Sequence, residues 1–269
     1  MKPIKLFFYR SKSGALNFGD ELSPDIIEYI TGRKVQKVNN KRCELIALGS
    51  ILDGQFKLNN KLNDRFKSFI GHPTFVWGSG VISNETKGKT YFRPLALRGQ
   101  LTKNKIDIDS AESIPLGDPG LFIFDMIDLK CKKSGVGIIP HYTDKKHPLI
   151  NNFKYMQNVK VIDVESPWRQ VCNEIASCDF ILSSSLHGLV VADAFKIPNY
   201  RIKLYNNLKG GSFKFKDYAS ALNRVDINSY EISGYEEISY LKRLETDFSY
   251  QSSIDEICAK LEKVLKKTF

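Results

Sequence analysis

No apolar run in this 269-residue chain approaches the roughly 18–20 positions a helix needs to cross a bilayer. No membrane-spanning helix is therefore expected. The apolar opening Ile4-Lys5-Leu6-Phe7-Phe8-Tyr9 stops at Arg10 with no small-residue cleavage site behind it, so it reads as a first strand, not a signal peptide. Cysteine is sparse: five, odd in number and scattered, with no C-x-x-C spacing. That excludes a disulfide framework and a zinc knuckle and fits a cytoplasmic protein. Complete glycine fingerprints are missing too. Gly78-Ser79-Gly80 has Ser83 where the third glycine of a dinucleotide motif belongs, and Gly135-Val136-Gly137 has Pro140 there. Gly88-Lys89-Thr90 copies the end of a P-loop, but Ser83 again holds its first glycine position. Neither NAD nor a Walker-type ATPase is supported. Acidic residues are the minority, 30 against 40 Lys and Arg, for a net charge of +10. The chain should therefore meet an anion: nucleic acid, a phospholipid surface or a phosphorylated substrate. The aromatics are not interleaved with Lys/Arg runs as a base-stacking platform requires, which argues against nucleic acid.

What is present is an alternation of short apolar runs with amphipathic stretches. At 42% hydrophobic and 26% charged residues the composition is that of a globular chain, and the alternation is the βαβ signature of parallel sheets covered by helices. Strands are expected at 4–9, 44–48, 74–78, 94–97, 135–140, 159–164, 179–183 and 199–204. Asp20 or Ser23 should cap a helix with Pro24 in its first turn. Ser166-Pro167 opens another, with Trp168, Val171, Cys172 and Ile175 on one face. Ser253 and Glu256 form a capping box for a last helix with the stripe Ile254, Ile257, Leu261, Val264 and Leu265. The polar, basic segment at 128–134 divides the chain into halves 1–130 and 131–269, with the last helix free to pack back on the first half. The fold class is α/β: two Rossmann-like halves facing a central cleft, with ligands at the carboxyl ends of the strands.

The most informative segment runs from Asp179 to Phe195. An apolar strand ends in Ser183, Ser184 and Ser185, and a helix opens at once with His187 and Gly188 in its first turn. Hydroxyls, free amides and the positive helix end converge there, an anion site with a histidine beside it for proton transfer. The alternative is that the serines only cap the helix and His187 is a packed, hydrogen-bonded residue.

Ser183 to Pro198 also resembles the hallmark segment of the polysaccharide pyruvyl transferase family. So do Asn17-Phe18-Gly19-Asp20-Glu21-Leu22, Trp77-Gly78-Ser79-Gly80, Leu97-Arg98-Gly99-Gln100-Leu101-Thr102, Gly117-Asp118-Pro119-Gly120-Leu121 and Ile139-Pro140-His141-Tyr142. These fall in family order, and the likeness is to the short branch containing the succinoglycan ketal pyruvyltransferase. The resemblance implies a GT-B-like fold and transfer of pyruvate from phosphoenolpyruvate to two sugar hydroxyls, without a metal or other cofactor. Arg98 suits the donor's carboxylate or phosphate because a guanidinium binds either bidentately; the alternative is a pair with a surface carboxylate. On this reading Arg98, Ser183, Ser184, Ser185, Gly188 and Asn17 bind phosphoenolpyruvate. His187 or His141 is the acid, and Asp20 or the second histidine is the base; Asp20 as a helix cap and His141 as a structural residue stay open. Many members carry an arginine two residues before the histidine, where this chain has Ser185, with Arg201, Lys203 and Lys209 shortly downstream. The implied partner is a lipid-linked sugar of a bacterial capsule or exopolysaccharide, met at the cytoplasmic face of the membrane. The face of Lys260, Lys263, Lys266 and Lys267 is either simply solvated or a peripheral lipid contact. A nucleotide-sugar glycosyltransferase and a noncatalytic basic binding protein are the competing readings.

Overall fold

A computed structural model describes residues 2–10, 17–53, 73–85, 88–89, 92–107, 113–128, 133–204, 210–225, 227–244 and 248–269. Two parallel five-stranded sheets dominate it. The first contains β1 (Ile4–Phe7), β2 (Val35–Lys37), β3 (Leu45–Ala47), β4 (Phe75–Trp77) and β6 (Arg93–Ala96), in the order β2-β1-β3-β4-β6. The second contains β8 (Val136–Ile139), β9 (Val159–Val161), β10 (Phe180–Ser183), β11 (Asn199–Lys203) and β12 (Ser229–Glu231), in the order β12-β11-β10-β8-β9. Short β5 (Gly88–Lys89) and β7 (Ile106–Asp107) pair apart from both. Counted within its own sheet, each set of strands follows the same order, 2-1-3-4-5. In that doubly wound order the chain reverses direction between its first and third strands, and a crevice opens beyond their carboxyl ends. The expected α/β class with two Rossmann-like halves facing a cleft is the one observed.

All eight strands expected from apolar runs are present. Parallel strands covered on both faces need such runs, and β8 and β10 are buried along their whole lengths. The unexpected β2 and β12 lie at sheet edges, each with one partner. Their sequences, Val35-Gln36-Lys37 and Ser229-Tyr230-Glu231, carry no apolar run because an edge strand is only half covered.

The helices are α1 (Phe18–Thr31), α2 (Gln100–Lys103), α3 (Ile123–Met126), α4 (Pro148–Lys154), α5 (Trp168–Ala176), α6 (Leu186–Ala194), α7 (Phe213–Ala221), α8 (Tyr235–Arg243) and α9 (Ile254–Thr268). Two starts differ from expectation. Helix α1 begins at Phe18 behind an extended Asn17, so Asp20 lies in its first turn and caps nothing. Fully buried Phe18, whose amide donates to Val164 O at 3.0 Å, pulls the first turn into the core ahead of Pro24. At α9 the capping box does not form. The preceding 3₁₀ turn Ser249–Ser253 already holds Ser253 in a helical conformation, and its hydroxyl donates back to Tyr250 O at 2.7 Å.

One apolar core runs through both halves, taking Ile4, Leu6 and Trp77 from the first sheet and Ile139 and Ile181 from the second. Helix α9 touches α1 and β6, and Trp77 Nε1 donates to Leu261 O at 3.0 Å. Its buried stripe of Ile254, Ile257, Leu261 and Leu265 contributes roughly 1.5–3 kcal/mol per side chain. On its outer face Lys260 pairs with Glu256 at 2.7 Å and Lys266 with Glu262 at 2.5 Å. The expected boundary passes through 129–132, outside the described residues.

Asp193 ties the second half together. Its Oδ1 accepts from Asn199 Nδ2 and Tyr250 Oη, both at 2.7 Å, and from Gln251 Nε2 at 3.0 Å, while Oδ2 accepts from Tyr218 Oη at 2.9 Å. Asp193→Asn turns an amide donor toward these donors. It is expected to cost about 1–3 kcal/mol, read as a lower midpoint at unchanged slope in urea unfolding.

Candidate active site

The segment from β10 into α6 turns sharply, and its serines hold the turn. Ser183 Oγ accepts from the Ser185 amide at 3.0 Å and faces Ser185 O at 2.8 Å and Ile139 O at 3.1 Å. Ser184 Oγ donates to Asp144 Oδ2 at 2.6 Å and accepts from the His141 amide at 2.9 Å. Both serines are fully buried. These hydroxyls, expected to bind substrate, here brace β10 against the chain leaving β8. Gly188, also expected at the donor, packs on the same turn: a Cβ there would stand 2.3 Å from Ser183 Oγ. It is small so that α6 can lie on the strand end. Ser185, the N-cap of α6, makes no side-chain cap bond and faces a cavity.

That cavity, about 330 Å³, is lined by Tyr9, Asn17, Asp20, Gly49, Ser50, Ile51, Ile82, His141, Tyr142, Ser185, Leu186, His187 and Lys214. Most of these follow β1 and β3 in one sheet and β8 and β10 in the other. The direction-reversal points of both sheets therefore open into one space, which explains why residues so far apart in sequence meet. Two helix N-termini, of α1 and α6, also converge there. Both place the partial positive charge of a helix end near the cavity. Their approach is close: a Cβ on Gly19 would stand 1.8 Å from His187 Nδ1. The Phe18 ring meets His187 edge-on at 6.3 Å.

The charges are unusual for a small cavity. Burial raises the Asp20 carboxyl to about 7, although Lys214 and a 2.9 Å bond from Asn17 Nδ2 oppose the shift. Burial, reinforced by Lys214, lowers His141 to about 3, and lowers His187 to about 3 with Arg98 and His141 adding to the effect. Lys214 itself is lowered to about 8, by burial first and by Arg98 and Arg201 next. Burial therefore favours the neutral ring at both histidines and the protonated carboxyl at Asp20. Of the three groups expected to move protons, Asp20 is the one that burial biases toward holding a proton. His187 is buried, and among the described residues its Nε2 has no hydrogen-bond partner. His141 Nδ1 accepts from the Thr143 amide at 3.3 Å, and its ring stacks on Tyr142 at 4.3 Å.

Arg98 stands behind the cavity instead of in it. It is fully buried, with Nε donating to Asp217 Oδ2 at 2.9 Å, one terminal nitrogen to Val81 O at 2.7 Å and the other to Ser50 Oγ. Asp217 also accepts from the Thr102 amide at 2.7 Å and the Thr102 hydroxyl at 2.6 Å. Arg98, expected to bind the donor, is placed outside the cavity lining, and with Asp217 it locks α7 to the first half.

A family model described as polysaccharide pyruvyl transferase matches residues 17–203, more than half of the chain. The chain belongs to the polysaccharide pyruvyl transferase family. It is 29% identical over 155 residues to an uncharacterized protein of Acanthamoeba polyphaga mimivirus, covering 55% of this chain and 54% of that protein. It is 24% identical over 228 residues to the succinoglycan biosynthesis protein ExoV of Rhizobium meliloti, covering 81% of this chain and 65% of that protein. Less than two thirds of either relative's length is matched. A solved α1,3-fucosyltransferase aligns over 98% of this chain and 90% of its own, at 12% identity and a TM-score of 0.32.

Within this pyruvyl transferase family chain, the expected residues Asn17, Asp20, His141, Ser185 and His187 share one cavity, while Arg98, Ser183, Ser184 and Gly188 support its walls. Sequence reasoning missed Lys214, Tyr9, Tyr142 and Ser50. Lys214 lies beyond the matched segment. Of the downstream cations considered for the charge absent at Ser185, Arg201 lies over the Phe215 ring at 4.0 Å and Lys203 pairs with Glu231 at 3.4 Å. Lys209 is outside the described residues. Among the described residues no helix is long and apolar enough to cross a membrane.

Proposed function

We propose that this protein transfers pyruvate from phosphoenolpyruvate onto two hydroxyls of a sugar, closing a cyclic ketal. The observation that carries this reading is the shared cavity. It brings a carboxyl titrating near neutrality and an unpartnered imidazole nitrogen to two helix N-termini. Those N-termini suit the donor's anionic groups. Asp20 gives its proton to the methylene carbon, leaving an oxocarbenium-like centre at C2. One sugar hydroxyl adds there as neutral His187 takes its proton, the C2–O bond to phosphate breaks, and a second hydroxyl closes the ring. Two protons leave the sugar; one replaces the proton given to the methylene carbon and the other departs with phosphate. No redox partner is needed. The family membership and the name of the succinoglycan relative support a polysaccharide repeat unit as acceptor. We propose further that the acceptor is lipid-linked and met at the cytoplasmic face of a bacterial membrane.

Calorimetric titration tests the donor. Saturable binding of phosphoenolpyruvate, followed by release of phosphate that depends on added oligosaccharide, is the expected result. Binding of uridine diphosphate in its place would overturn the reading in favour of a glycosyltransferase. A pH profile tests the acid. Because the protonated form of Asp20 is the active one, kcat/KM is expected to fall as pH rises through about 7. Asp20→Asn should lower the rate by roughly 10²–10⁴-fold and remove that limb.

A further inference from the structure

We propose that Lys214, presented by α7 into the cavity, is the cation that anchors the phosphate of the donor; this rests on the pyruvyl-transfer reading above. The cavity has a positive field but few positive side chains. Ser185 brings no charge from the α6 side, Arg98 spends its three nitrogens on Asp217, Val81 and Ser50, and Arg201 and Lys203 do not line the space. Lys214 does line it. Among the described residues its Nζ makes no hydrogen bond or ion pair; it lies over the Phe215 ring, 5.3 Å from the centroid. An ammonium held partly out of water with only a ring face beneath it and no hydrogen-bond acceptor is costly, and a dianionic phosphate relieves that cost through charge-assisted hydrogen bonds. His187 Nε2, buried and unpartnered, is a second polar atom at the same cavity awaiting a ligand.

The position of Lys214 is set from behind. Lys214 and Asp217 lie three residues apart on α7, hence on one side of the helix, and Asp217 is clamped by Arg98 and Thr102 of the first half. Gly99 lets the two segments touch, since a Cβ there would stand 1.7 Å from Asp217 O. The charged or titratable groups acting on Lys214 are Asp20 of α1, Arg98 after β6, Asp144 of the turn after β8 and Arg201 of β11, with His141 and His187 across the cavity.

The test measures calorimetric affinity for phosphoenolpyruvate, inorganic phosphate and pyruvate at pH 6.5 and pH 9, in the wild type and in Lys214→Met and Lys214→Arg. At pH 6.5, Lys214→Met is expected to weaken phosphoenolpyruvate and phosphate roughly 10- to 100-fold and to leave pyruvate unchanged. Lys214→Arg keeps the charge and is expected to bind both phosphates at pH 6.5. To separate Lys214 from Asp20, which also titrates in this range, the pH 9 comparison is made with Asp20→Asn present throughout. There the wild-type lysine loses affinity while the arginine does not, because a guanidinium stays protonated. Unchanged phosphate affinity in Lys214→Met overturns the proposal. So does a Lys214→Arg protein that loses affinity at pH 9 as the lysine does, an outcome that stays readable if the methionine variant does not fold. A wild type that binds no phosphoenolpyruvate but loses inorganic phosphate on Lys214→Met would sink the pyruvyl-transfer reading and leave the anchor standing.

Discussion

Gly19→Ala is expected to cut sugar-dependent release of phosphate from phosphoenolpyruvate by about 100-fold, the order of loss that an ångström of misplacement brings at a reacting group. The added methyl would stand 1.8 Å from His187 Nδ1, so either the imidazole swings away or α1 shifts and carries Asp20 with it. Both moves separate Asp20 from His187, the two groups proposed above to handle protons. The fold should survive. Alanine favours a helix over glycine by about 1 kcal/mol, offsetting part of an overpacking strain of about 1–3 kcal/mol. Urea unfolding and kinetics on one preparation separate the two effects. The cause is checked by a double-mutant cycle: if the methyl acts through His187, adding it to His187→Ala costs little more than His187→Ala alone. A Gly19→Ala protein with the wild-type rate would refute the placement of His187 at the reacting centre.

Asp217→Ala is expected to destabilise the protein by about 3–5 kcal/mol, because it leaves the Arg98 guanidinium buried without its counter-charge. Both side chains are wholly buried, so water cannot take the place of the lost carboxylate. The Thr102 amide and hydroxyl lose their acceptor as well. For a chain of this size the loss should lower Tm by on the order of 10 °C, measurable by scanning calorimetry. Phosphoenolpyruvate affinity should fall in the residual folded protein, since α7 carries Lys214. A change in Tm of less than a degree or two would mean that this pair does not join the halves.

Much of the fold was legible because parallel strands covered on both faces must be apolar throughout, as in Val136–Ile139 and Phe180–Ser183. The edge strands β2 and β12 were not, because they need apolar residues on one side only and carry no apolar run. The start of α1 was misread because Asn17 makes no side-chain cap bond and Phe18 is fixed by the core. At the site, Asn17, Asp20, His141 and His187 were legible because each follows the carboxyl end of a strand.

Sequence alone determined the α/β class, the pairing of two Rossmann-like halves and several of the segments that line the cavity, since apolar period and local helix signals are properties of neighbouring residues. Only the tertiary structure decided which polar groups are free. Arg98 and Lys214 are both cations by sequence, but Asp217 occupies the first and leaves the second facing the cavity. Asp20 and His187 have ordinary chemistry by sequence, and burial between two helix N-termini moves one up and the other down. Desolvation and pairing depend on what the rest of the chain brings near, over separations that no local pattern records.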